Sequence, residues 1–422
     1  MKFVLACYGT RGDIEPCTAL ARELLHRGHD VHMAVTPCLV GFAEAAGLPA
    51  VPYGLNSPDM LEAHRNLWRE LFDNFWSIRN LNRVWHASWE PAIRCWGEMS
   101  STLTSLAEGA DLLFTGLAFQ AVAANVAEYY DIPLATLDHA PLRSNGQLLS
   151  FLPAPLGRST MTVVEWLVSR FSKRADDAQR RELGLPKATG AAARRITLRG
   201  SLELQAYDEV CFPGLAAEWA KSGGQRPFVG GLTLELPADA DEEVVSWIAA
   251  GTPPIYFGFG SIPVEAPADT LEMIAAACAQ LGERALVCAG WTDFGDFPHF
   301  EHVKVVGAVN HSSILPLSRA VVHHGGAGTT AAGLRAGVPT LILWMLGDQP
   351  FWGAAVRRLK VGTARRFSSV SRESLVADLR TVLAPEYVAR AREVATRMTK
   401  PAEGVATAAD LVELFARQRC CS

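Results

Sequence analysis

Three short, mainly apolar runs open the chain, at residues 3–7, 31–35 and 50–53, the first without interruption, and the segments between them carry helical spacing. Ala19, Leu20, Leu24 and Leu25 share one helical face between Ile14 and Arg27, and Gly28 follows as a stop signal. A second helical stretch from Leu39 to Ala46 stops at Gly47. Strands that are apolar throughout are buried on both faces, which is the condition of a parallel sheet. The βαβαβ alternation therefore predicts an α/β fold built on a doubly wound parallel sheet.

At 422 residues the chain is too long for one core, and two domains of roughly 200 residues are expected. The strand–helix rhythm starts again after Gly223-Gly224-Gln225-Arg226-Pro227, where Gly and Pro cluster without periodicity. Strands are expected at 255–259, 285–289, 303–306, 320–323 and 340–343, and helical structure from 371 to 418. The boundary is accordingly set between a domain at 1–222 and a second at 223–400, with 401–422 as a terminal helix.

Two stretches interrupt the first series. Residues 58–108 place Trp68, Phe72, Phe75 and Trp76 at i, i+4, i+7 and i+8, and Trp85, Trp89 and Trp96 continue the stripe. Residues 158–199 hold ten Lys/Arg against four Asp/Glu, interleaved with Met161, Val164, Trp166, Leu167 and Phe171. That mixture suits a solvated face or contact with anionic lipid.

Overall charge is −5, against the basic balance of a nucleic-acid binder, so no nucleic-acid partner is expected. No apolar run approaches the ~20 residues of a membrane span, and the N-terminal apolar run is short for a signal peptide. Nine cysteines without CxxC spacing fit free thiols in a reducing cytoplasm. A cytoplasmic protein, peripheral at the inner membrane face at most, is expected.

The strongest chemical signal is His323-His324-Gly325-Gly326-Ala327-Gly328-Thr329-Thr330, set between a β-branched strand and a helix. Glycines admit a ligand close to the backbone, and helix-start amides attract phosphate. The alternative is a tight turn around a packed histidine. No GxxxxGK[ST] or GxGxxG is present, which argues against a P-loop and against NAD or FAD. Asp348-Gln349 follows the strand at 340–343, and an acid beside an amide suits a polyhydroxyl ligand, or else caps a helix. Asp239-Ala240-Asp241 lies in an acidic run and reads as a helix start rather than a metal site.

Gly9-Thr10-Arg11-Gly12-Asp13, Gly258-Phe259-Gly260-Ser261, Gly290-Trp291, the HHGGAGTT loop and GDQPFWG occur in this order across the whole chain. The set resembles the family 1 nucleotide-sugar glycosyltransferases of GT-B architecture. The nearest branch includes vancomycin-group antibiotic, sterol, and mycobacterial glycopeptidolipid and phenolic glycolipid glycosyltransferases. The resemblance implies two Rossmann-like domains facing a cleft, with acceptor on the first, nucleotide sugar on the second, and the final helix crossing back to the first. It makes Asp13 the catalytic base. It assigns Thr10, Arg11, Gly12, Ser261, Trp291, Val309, His323, Gly325, Gly326, Ala327, Gly328 and Thr329 to the nucleotide diphosphate. Within that set Trp291 stacks on the base and the Val309 backbone meets its edge. Asp348 and Gln349 hold the donor sugar. Plant members carry a histidine, oriented by a distant aspartate, where this chain has Asp13; that departure favours a carboxylate acting directly. Trp68, Phe72, Trp76, Asp138 and His139 are acceptor-cleft candidates.

Glycosyl transfer needs a base on the acceptor hydroxyl and stabilisation of a departing diphosphate. A helix N-terminus and a histidine supply the latter without a metal or other cofactor. The expectation is an inverting, metal-independent transferase that moves a deoxyhexose, L-rhamnose or 6-deoxy-L-talose, from dTDP to a lipid or lipopeptide hydroxyl. UDP-glucose transfer to a sterol or natural product is the alternative, and a sugar-nucleotide epimerase is less favoured because the aromatic insertion suggests an apolar acceptor.

Overall fold

The computed structural model describes residues 1–56, 90, 93–149, 152–234, 236–261, 263–264, 266–292 and 300–420. Trp68, Phe72 and Trp76 lie outside the described residues. The chain forms two compact units, one comprising Met1–Leu234 with Pro401–Ser422 and the other Glu235–Lys400.

In the first unit, β1 (Lys2–Cys7), β2 (Asp30–Val35), β3 (Ala50–Pro52), β4 (Leu112–Thr115), β5 (Leu134–Asp138) and β6 (Leu202–Gln205) form one sheet in the order β3-β2-β1-β4-β5-β6. Every pairing is parallel. The apolar run of β1 is buried from Phe3 to Cys7, as a strand covered on both faces must be. Phe3, Val4 and Leu5 each contribute about 1.5–3 kcal/mol of burial. The strand order reverses between β1 and β4, and the carboxyl ends of those strands are where open α/β sheets bind ligands.

Helices α1 (Arg11–His26), α2 (Trp96–Ala107), α3 (Gln120–Tyr129) and α4 (Ala154–Glu182) pack on this sheet or on one another. Helix α4 docks through polar groups. Gln179 Oε1 accepts from Trp96 Nε1 at 2.9 Å, Asp176 receives both Asn125 and Arg195, and Arg180 pairs with Glu128 at 2.8 Å.

The boundary falls after Leu234, twelve residues beyond the one expected at 222. The cause is local. Gln225 and Pro227 accept hydrogen bonds from Glu203 and Gln205 of β6, and Val229 donates back to Gln205. The Gly/Pro segment thus extends the first unit's sheet edge instead of hanging free as a linker. The segment 371–418 is also three helices, Arg372–Val382, Pro385–Ala395 and Pro401–Cys420, with prolines opening the second and third. The last of these packs on α1: Arg27 bonds Asp410 and Glu413 at 2.6 and 3.1 Å, and His29 lies 3.2 Å from Glu413.

The second unit repeats the plan. Strands β7 (Ile255–Gly258), β8 (Ala285–Cys288), β9 (Val303–Val306), β10 (Ala320–His323), β11 (Thr340–Trp344) and β12 (Gly362–Arg366) lie in the order β12-β11-β10-β7-β8-β9, all parallel. Counted within the unit, this is the same order as in the first, with its reversal between β7 and β10. Asp241 starts a helix, and its two carboxylate oxygens accept from Ala238 N and Asn310 N.

Candidate functional site

Chemistry in the first unit gathers at the carboxyl end of β1. Thr10 caps α1, and Asp13 in the first turn answers it: Oδ2 of Asp13 accepts from Thr10 N at 2.7 Å and Thr10 Oγ1 at 3.0 Å. One carboxylate oxygen is thereby fixed and the other is left for chemistry. Gly9 makes room for it. Its φ is +137°, and a Cβ there would lie 2.3 Å from Asp13 Oδ2. Thr36, at the end of β2, locks Gly9 by accepting from its N–H and donating to its carbonyl, both at 2.9 Å. Sequence reading missed Gly9 and Thr36 as positioning residues. The glycine beginning the GTRGD string was the available signal; Thr36 carried none. Arg11 is turned to Glu15 at 3.0 Å and lies over the Phe42 ring.

His139 reaches Asp13 from the end of β5, with Nε2 3.6 Å from Oδ1. An imidazole therefore stands beside the carboxylate, although no histidine precedes it in the GTRGD loop. Its neighbour Asp138 does not line any acceptor surface. It is fully buried, bonded to Gln120 Nε2 at 3.2 Å and 3.3 Å from Arg143 Nε, which also pairs with Glu203 at 2.9 Å. Burial works against the Arg143 charge, but Asp138 and Glu203 outweigh it and raise its pKa. The acceptor-cleft assignment of Asp138 is corrected to a core ion pair: the last residue of β5 points inward and the first loop residue points out.

In the second unit the glycine loops of β7, β8 and β10 converge. Gly260 has φ +63°, Trp291 N donates to Gly260 O at 3.1 Å, and Gly290 N donates to Gly307 O at 3.0 Å. The His324 ring fills the gap between the first and third loops. A Cβ on Gly260 would lie 2.5 Å from His324 Cε1, and one on Gly326 would lie 2.7 Å from His324 Nε2. Gly326 caps the helix Ala327–Arg335, and the amides of Ala327, Gly328 and Thr329 form its positive end, which no acid in the first turn offsets. Ser261 is partly exposed at the end of the first loop.

His323 has no surface exposure. Its Nδ1 accepts from Gly325 N at 3.0 Å, and burial, followed by His324 and His311, pushes its pKa well down. Burial also lowers His324 to about 4, so both rings are neutral near pH 7. Of the two, His324 is the ring set against both glycine loops.

Asp348 occupies the N-cap position of the helix Gln349–Leu359, yet its Oδ2 accepts from Trp352 Nε1 at 2.9 Å rather than from the helix backbone. Gln349 is buried, and its Oε1 accepts from Met345 and Leu346 N at 2.7 and 3.0 Å. It shapes the loop after β11, and its amide NH₂ is the group left for a ligand. Val309 follows β9 and packs against the core of the second unit.

Residues 3–101 match the description "Glycosyltransferase family 28 N-terminal domain", and residues 290–414 match "Erythromycin biosynthesis protein CIII-like, C-terminal domain". An uncharacterised glycosyltransferase of Mycobacterium tuberculosis is 58% identical over 420 residues, covering 99% of this chain and all of the relative. A sterol 3-beta-glucosyltransferase of Arabidopsis thaliana is 30% identical, covering 97% of this chain and 67% of its own length. Among solved structures, the glycosyltransferase VinC in complex with dTDP shares the fold at TM-score 0.65 and 18% identity, over 99% of this chain and all of that one.

Proposed function

This chain belongs to the family 1 glycosyltransferases of GT-B architecture, and from that premise we propose an inverting transfer in which Asp13 deprotonates an acceptor hydroxyl and the second unit holds a nucleoside diphosphate sugar. The observation that carries the reading is the pair of reversal points. Asp13 stands at one, and the His324 ring stands between two glycine loops at the other.

On the donor side the diphosphate lies against the amides of Ala327–Thr329 and receives a hydrogen bond from His324. His324, not His323, is the donating ring, because His323 is sealed in the strand. Trp291 stacks on the nucleobase, Ser261 touches the phosphates, and Asp348 with the Gln349 amide holds sugar hydroxyls. The helix N-terminus and the imidazole offset the leaving charge, so the reaction proceeds without a divalent metal. On the acceptor side Asp13 Oδ1 takes the hydroxyl proton as the oxygen attacks the anomeric carbon. The C–O bond to the diphosphate breaks, and the diphosphate leaves with the electron pair. His139, beside Oδ1, orients the carboxylate and steadies its charge.

The donor is a dTDP-deoxyhexose and the acceptor an apolar molecule bearing a hydroxyl, a lipid or lipopeptide. The likeness to a sterol glucosyltransferase favours one second reading, UDP-glucose transfer to a sterol-like ring system. Purified protein screened against dTDP- and UDP-sugars by thermal shift and donor hydrolysis separates the two. Stabilisation by dTDP and its deoxysugars above UDP and UDP-glucose supports the first; the reverse order selects the second. No shift with any nucleotide removes both.

A further inference from the structure

Helix α4 is built inside out. The side that docks on the first unit is polar, carrying Glu165 against Ser144, Asp176 against Arg195, and Gln179 against Trp96. The opposite side is apolar and open: Leu156, Val163, Val164, Trp166 and Leu167 are 45–58% exposed. These are five of the eleven large hydrophobic residues exposed among the described residues, gathered within twelve positions. A soluble chain rarely leaves so much apolar surface in one place without a use for it.

The same face continues as a basic one. Leu156, Val163, Leu167, Arg170, Arg174 and Arg181 follow at intervals of 7, 4, 3, 4 and 7, which keeps them on one side of an α-helix. Arg170, Arg174 and Arg181 are exposed, and none forms an ion pair among the described residues. Arg170 lies over the Trp166 ring at 5.3 Å. One acid, Asp177, lies on this face, seven residues after Arg170 and four before Arg181, and it is bonded to Lys173 at 2.8 Å. Over its 29 residues, a length of ~44 Å, the helix thus presents an apolar half and then a cationic half along one line.

We propose that α4 lies flat on an anionic lipid bilayer, with Val163, Trp166 and Leu167 entering the headgroup boundary and Arg170, Arg174 and Arg181 meeting lipid phosphates. Charge complementarity selects the anionic lipid surface: an apolar ligand alone leaves three unpaired arginines in line with the apolar patch unexplained. The inference does not depend on the donor or acceptor assigned above.

Co-sedimentation of the full chain with phosphatidylcholine vesicles, with and without phosphatidylglycerol, tests it. Binding should require phosphatidylglycerol and weaken with salt. It should fall at least ~10-fold both in Val163→Asp/Leu167→Asp and in Arg170→Glu/Arg174→Glu/Arg181→Glu. All five positions are exposed, so folding checked by circular dichroism should be unchanged. Absence of vesicle binding, or binding indifferent to charge and to both variants, overturns the proposal. A change of oligomeric state in the aspartate variant would show a second copy on this face. A raised KM for a water-soluble acceptor, with vesicle binding intact, would make the helix an acceptor wall. Either result overturns it too.

Discussion

His139 Nε2 stands 3.6 Å from the one carboxylate oxygen of Asp13 that its own helix cap leaves open. The cap fixes the carboxylate on one side and the imidazole addresses it on the other. Asp13→Asn should therefore lower kcat by ~10²–10⁴ while dTDP affinity stays near normal, if Ser261, Trp291 and His324, all in the other unit, hold the nucleotide as proposed. Steady-state kinetics and calorimetry on one preparation decide this. Turnover near that of the unaltered protein would remove Asp13 from the role.

His139→Gln should cost less, and its effect should appear in the pH–rate profile rather than in nucleotide binding. An imidazole that only fills space would leave the profile unmoved when replaced by an amide of similar reach. The measurement is kcat/KM across pH for both proteins.

For the paired histidines of the glycine loop after β10, His324→Ala should weaken dTDP binding by about 1.5–3 kcal/mol, as loss of a hydrogen bond to a charged partner does. His323→Ala should instead lower thermal stability, because its Nδ1 satisfies the Gly325 N–H inside the core. A larger loss of affinity from the His323 variant would return the phosphate contact to that residue.

The depressed pKa of His324, about 4, gives a signed pH dependence. Unfolded histidine titrates near ~6.5, so below that the unfolded state binds more protons and stability falls as pH drops from ~6.5 toward ~4. A bound diphosphate pulls the His324 pKa up, so binding takes up protons and affinity rises as pH falls. Calorimetry in buffers of different ionisation enthalpy should show this uptake, and His324→Ala should lose it.

Arg143 sits between Asp138 and Glu203 with almost no exposure. Arg143→Leu would strand two buried carboxylates, and denaturant unfolding should report a loss of about 3–5 kcal/mol. Activity with EDTA should be unchanged; inactivation restored by Mg²⁺ or Mn²⁺ would contradict a diphosphate held by helix amides and histidine alone.

Most strands of both sheets were legible because parallel, doubly covered strands read as bare apolar runs; β6 and β12 were not, because Glu203 and Gln205 in one and Arg365 and Arg366 in the other break the run. Two strand-end pairs of the candidate site were legible as pairs only. Asp138-His139 and His323-His324 are both strand-end pairs, and in both the first member is sealed in the core while the second enters the loop. Composition picks out the pair, but which member turns inward depends on where the strand stops, and the pattern does not record that to a single position. Helix α4 was harder still. Its polar side is buried against Trp96, Asn125 and Arg195, partners distant in sequence, so no local periodicity could say which face was covered.

The return of Pro401–Cys420 to the first unit also bears on how the protein is made. Ala408, Ala409, Val412 and Ala416 are buried in that unit's surface, and Asp410 and Glu413 clamp Arg27. On the ribosome, residues 235–400 are all translated before this helix exists. The half that begins first therefore finishes last. Until the closing helix arrives, the nascent first unit keeps an uncovered strip along α1, and a ribosome stalled anywhere in the second unit holds a first unit that is not yet complete.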